Sequence, residues 1–164
     1  MLKRRKEFKT NYKKRLRLLL SRKPRLVIRK TNKYIIAHIV NYDYENHKDY
    51  TVAYVTSKKL REFGLDYKSF SLKNIPISYL TGYLIGKIAL SKNIKEAILD
   101  SGLNRLTKGC RIYAVLKGAI DAGLKIPFNE RIFPDENRLN GSHIKNFNKD
   151  IIKKVKENIN LKYG

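Results

Sequence analysis

The chain has 164 residues, 42% of them hydrophobic, with 37 Lys and Arg against 14 Asp and Glu for a formal net charge of +23; this suits one domain with extensions and excludes a disordered polycation. One cysteine, Cys110, excludes an internal disulfide and a Cys-based zinc cluster, and His38, His47 and His143 lack metal-ligand spacing, so no metal and no cofactor are expected. The sequence shows neither an apolar run of roughly eighteen residues nor a signal-peptide pattern, which points to the cytosol and away from a membrane.

Residues 1–34 hold fifteen Lys and Arg and a single acid, Glu7, and so carry +14 of the charge. Such a stretch repels itself and becomes favourable only against a polyanion whose condensed counterions it releases. An amphipathic membrane helix would place Trp, Phe and Leu along one face. Trp is absent, and Leu16, Leu18, Leu19 and Leu20 are too few and too close for a long stripe. Nucleic acid is the expected partner.

In chain order, residues 1–9 read as an irregular basic arm. Thr10 or Asn11 caps a short helix over about 11–21, with Tyr12, Leu16, Leu19 and Leu20 on its apolar side. Pro24 ends it. Leu26-Val27-Ile28 reads as a strand, Thr31-Asn32-Lys33 as a turn, residues 34–42 as a second strand and 50–56 as a third, giving an antiparallel meander. Residues 57–63 form a helical turn ended by Gly64, with a loop to Asn74. Asn74-Ile75-Pro76 then caps a helix running to about Ser91, in which Gly82 and Gly86 permit close approach to a sheet. Residues 97–100 are a short strand. A second helix follows over about 110–122, with Gly123 beyond its end. Residues 128–141 read as a loop and 142–160 as a helical tail, whose stripe of Ile144, Phe147, Ile151, Ile152, Val155 and Ile159 must lie on the domain or on a partner. The expected fold is α/β: a mixed sheet, made of the meander plus one further strand, is covered by two helices mostly on one face. The expected division is a basic arm and short helix (1–22), an α/β sandwich (23–127), and a loop with a helical extension (128–164).

An enzyme reading fails on its groups. Asp100 and Asp43 end strands, as a two-metal nuclease requires, but the first strand offers only Arg25, Arg29 and Lys30 where the central carboxylate belongs. Asp100 is expected to bind nearby backbone amides, and Cys110 to be a small packing residue. Arg105, Lys108 and Arg111 surround the start of the second helix, where free amides favour an anion. Tyr12 and Tyr34, set in cationic sequence, are candidates for stacking on unpaired bases.

Several blocks, in order, resemble a known family: residues 10–19 (Thr10-Asn11-Tyr12 and the basic run after them), 23–33 (Lys23-Pro24-Arg25 through Lys33), Tyr79-Leu80-Thr81-Gly82, Leu99-Asp100-Ser101-Gly102-Leu103, Thr107-Lys108-Gly109-Cys110-Arg111, 114–124 and 132–136. The sequence is similar to universal large-subunit ribosomal protein eighteen in its archaeal form, over roughly residues 3–145. The resemblance implies an α/β sandwich without catalysis that binds 5S rRNA. It also implies contact with the large-subunit rRNA and with neighbouring ribosomal proteins at the central protuberance. It assigns the RNA surface to Lys3, Arg4, Arg5, Lys6, Lys9, Thr10, Tyr12, Lys13, Arg15, Arg17, Arg22, Arg25, Arg29, Lys30, Asn32, Lys33 and Tyr34, with Arg105, Lys108 and Arg111 as a weaker second patch. A free-standing RNA-binding factor or chaperone is the alternative.

Overall fold

The computed structural model describes residues 3–65, 71–145 and 147–164. After a single helical turn at Lys3–Lys6 (α1) come α2 (Tyr12–Leu20), the strands β1 (Arg25–Lys30), β2 (Ile35–Asp43) and β3 (Lys48–Thr56), and a 3-10 turn at Ser57–Phe63. They are followed by α3 (Ile75–Ser91), β4 (Ile98–Asp100) and α4 (Arg111–Asp121). A second 3-10 turn at Glu130–Ile132 and a short α5 (Glu136–Leu139) lead to α6 (Asp150–Tyr163). The four strands form one sheet in the order β3-β2-β1-β4, antiparallel except for the parallel β1–β4 pair. The expected meander with one added strand is therefore present.

Alternation along the strands separates two faces. Leu26, Ile28, Ile35, Ala37, Ile39, Ala53 and Val55 point into the core, and α3 and α4 lie on that side, α3 against β2 and β3 and α4 against β1. Arg25, Val27 and Arg29 alternate to the second face, opposite Val40, His38 and Ile36. The β2–β3 ladder shifts register between Ile39 and Val40, which leaves Val52 as an extra residue on the edge strand. The Lys92 ammonium donates to the Val52 carbonyl at that point.

The start of α3 is the expected one: the Asn74 side chain accepts from Ile77 N–H at 3.0 Å, and Pro76 sits in the first turn. Because α3 is apolar nearly all round, it is buried on every side. Its glycines serve a different neighbour from the one expected. A Cβ at Gly82 would stand 1.9 Å from the Val115 carbonyl oxygen, and one at Gly118 would stand 2.0 Å from that of Tyr79. The close approach is between α3 and α4, not between α3 and the sheet, and it is mutual.

Residues 128–141 contain two short helical turns where a loop was expected; Asn129 caps the first through Arg131 N–H. The tail folds back on the domain, with Ile152, Val155 and Ile159 of α6 buried. Tyr83 Oη donates to Asn160 Oδ1 at 2.9 Å, and Asn158 Nδ2 donates to the Phe63 carbonyl at 2.9 Å. Lys156 Nζ lies 4.7 Å and 5.2 Å from the ring centres of Tyr79 and Tyr83. Burial there lowers the Lys156 pKa, with Asp121 partly opposing the shift.

Gly82→Ala and Gly118→Ala gain about 1 kcal/mol of helix propensity each but drive a methyl into backbone that cannot yield. Net destabilisation of about 2 kcal/mol or more is expected in urea unfolding.

Candidate nucleic-acid interface

Asn11 starts α2 by accepting the Lys14 backbone N–H at 3.0 Å. The helix face that meets the body is only partly the expected one: Tyr12 and Leu19 are half-buried, but Leu16 and Leu20 are not. Leu16 and Leu20 are 60% and 72% exposed, while Lys14, Arg15 and Leu18 are half-buried toward the sheet's second face. Beside Val27 and Val40, that face offers acids and carbonyls, and these take the cations of α2.

Arg25 is the centre of this arrangement. Its side chain is 4% exposed, with Nη2 2.5 Å from Asp49 Oδ1 on β3 and Nη1 3.2 Å from Asp100 Oδ2 on β4. Asp49 Oδ2 then takes Arg15 of α2 at 2.7 Å. Asp100 Oδ1 accepts the Gly102 N–H at 2.8 Å, the backbone role expected of it, and also lies 3.4 Å from Arg29 Nη2. Arg29 Nη1 donates to the carbonyls of Ile28 and Asp100, both at 2.9 Å. Lys14 Nζ reaches Ser101 Oγ at 2.8 Å and the Gly102 carbonyl at 3.0 Å, and Tyr44 Oη donates to the Leu19 carbonyl. Helix, three strands and the β4–α4 loop are thus joined by one chain of charged groups. Burial of a guanidinium is tolerable only with such partners. Burial, and then the Arg29 charge, lower the pKa of His38 on the same face, so its imidazole stays neutral near pH 7.

The expected contact residues divide by exposure. Lys3, Arg4, Arg5, Lys6, Lys9, Lys13, Arg17, Arg22, Lys30, Asn32 and Lys33 are exposed, as are Arg105, Lys108 and Arg111 on the loop and first turn of α4. Thr10, Tyr12, Arg15, Arg29 and Tyr34 are half-buried, and Arg25 is buried. The hairpin turn is closed by Thr31, whose hydroxyl both accepts from Tyr34 N–H at 2.8 Å and donates to its carbonyl at 2.9 Å, leaving Asn32 and Lys33 at the tip. Lys14, Asp49, Tyr44 and the Ser101–Gly102 turn were missed by the sequence reading. The legible signal was Asp100-Ser101-Gly102, an Asp two residues before a glycine at φ 58°, which is a turn signature.

The α/β sandwich thus carries an anchored basic arm, with 15 of the 37 Lys and Arg in residues 1–34. The family described as "Ribosomal large subunit proteins 60S L5, and 50S L18" matches residues 1–96 and 92–129, and the chain belongs to it. It is 49% identical over 144 residues to the large ribosomal subunit protein uL18 of Korarchaeum cryptofilum, covering 88% of this chain and 71% of that one. The uL18 of Methanococcus maripaludis is likewise 49% identical over 144 residues, covering 88% and 72%. The protein is accordingly a structural component of the large ribosomal subunit and not an enzyme.

Asp100→Asn leaves Arg25 with one carboxylate in a nearly dry site, and a loss of about 3 kcal/mol is expected in urea unfolding. Asp49→Asn costs less, since that carboxylate is one-third exposed. Its signature is faster amide hydrogen exchange across α2, with β1 and β2 unchanged.

Proposed function

We propose that this protein binds 5S rRNA and helps attach it to the large-subunit rRNA at the central protuberance, beside neighbouring ribosomal proteins, in cytoplasmic ribosomes. The arm and first hairpin form the RNA surface, contacting chiefly phosphates. One observation carries the reading. Lys3, Arg4, Arg5, Lys6, Lys13, Arg17, Arg22, Lys30 and Lys33 are exposed and join no ion pair among the described residues, whereas Glu7 is taken up by Lys9, and Asp49 and Asp100 by Arg15, Arg25 and Arg29. The acids therefore hold the arm in place without neutralising its outer face. In this reading Arg25 acts as a positioning residue rather than as an RNA contact. Arg105, Lys108 and Arg111 add a second, smaller patch, and Tyr12 and Tyr34 lie near unpaired bases.

With about eight phosphates neutralised, log affinity for transcribed 5S rRNA should fall against log salt with a slope of roughly −6 to −7; a flat response rejects the phosphate contact. Deleting residues 1–22 should abolish binding, and unaltered affinity in that truncation would move the site elsewhere. Lys33→Ala should weaken binding severalfold and flatten the slope by about one unit at unchanged thermal stability.

A further inference from the structure

A cleft of about 530 Å³ lies between the second face of the sheet and the arm with α2, with the β4–α4 loop closing one side. That is the size in which proteins hold small ligands. Its walls carry two chemistries. Arg4, Lys9, Lys14, Arg15, Arg25 and Arg29 face it against only Asp49 and Asp100, so cations remain in excess even with Lys9 tied to Glu7. Lys14 is held by a hydroxyl and a carbonyl, and Arg4 Nε by the Thr10 hydroxyl at 3.0 Å. These neutral acceptors orient the cations without cancelling them. The remaining wall is apolar, formed by Leu18, Val27, Val40 and Leu103.

A simple anion would leave the apolar wall wet, and a hydrocarbon would leave the charge unmet. A nucleotide satisfies both. A base inside a duplex is stacked on both faces and paired along its edge, so it does not enter such a concavity, whereas a splayed, unpaired base does. We propose that the cleft receives one unpaired nucleotide of the bound RNA, its phosphate among Arg4, Lys14 and Arg29 and its base against Val27, Val40, Leu18 and Leu103. Asn104 also lines the cleft; its Nδ2 donates to the Ser101 carbonyl at 2.8 Å, and its Oδ1 can accept from a base edge. This rests on the arm's being the RNA surface and adds a recognition element to it. Phosphates alone hold any RNA, whereas a seated base selects one with an unstacked residue at the right place.

The test blocks the cleft without touching a cation. Leu103→Trp fills the mouth from a position 57% exposed, and Val27→Phe raises the floor. Each should lower affinity for transcribed 5S rRNA five- to tenfold at every salt concentration, with the slope changed by no more than about 0.9, one phosphate's worth. Thermal melts report folding, and Leu103→Trp decides the matter if Val27→Phe is unstable. In parallel, the full chain is titrated by NMR with AMP, adenosine and inorganic phosphate. The Gly102, Leu103 and Asn104 amides should shift more with AMP than with either half alone, and Leu103→Trp should abolish the difference. Blocked variants that bind as tightly as the wild type, with its steep slope, overturn the nucleotide site and leave the arm's role standing. An equal response to AMP and inorganic phosphate reduces the cleft to an anion site and also overturns it. A wild type without salt-sensitive RNA affinity removes both readings.

Discussion

A guanidinium between two carboxylates, almost without water, joins the halves of this molecule. Arg25 belongs to β1, so its position is fixed by the ladder bonds of a central strand, flanked by β2 and β4. Removing a charge of this kind from water costs several kcal/mol, which close and well-directed partners offset. The two aspartates come from the outer strands, and each has a second partner: Asp49 holds Arg15 of the helix, and Asp100 holds Arg29 and the loop amide of Gly102. Sheet formation therefore assembles the acidic anchorage on which the basic helix rests. The dependence runs from core to arm.

This order addresses a difficulty inherent in a polycationic arm. Left alone, it would stay extended by self-repulsion and lose much conformational entropy on meeting any polyanion. Anchoring α2 in advance lowers that loss. The anchoring acids Asp49 and Asp100 lie on the inner side of the arm, so the outer cations keep their field. A neutral polar anchorage would hold the basic helix less strongly, and a larger acidic one would cancel more of the arm's positive field.

Local patterns made much of the fold readable. Alternating β-branched residues marked the hairpin, Asn74 and Pro76 marked the start of α3, and Gly123 marked the end of α4. The family membership was legible from separated motifs in order. What could not be read were the interactions whose two sides lie far apart in the chain. The leucines of α2 suggested an apolar inner face, yet Leu16 and Leu20 point outward while Lys14 and Arg15 turn inward to a carboxylate and a carbonyl supplied by a distant strand and loop. The burial of Arg25 could not be read because its partners, Asp49 and Asp100, are 24 and 75 positions away. Gly82 announced a close approach without saying to what, and only the reciprocal Gly118 identifies α4.

The extra residue on β3 bears on the life of the protein before assembly. β3 is an outer strand of an open sheet, and an unprotected margin of that kind invites a second chain to add itself by main-chain bonding. Here the ladder is broken at Val52, whose carbonyl takes the Lys92 ammonium, so the margin is interrupted and marked with a positive charge. Two copies approaching there meet mismatched spacing and mutual repulsion. A newly synthesised molecule can in this way remain single while it waits for its place in a much larger particle.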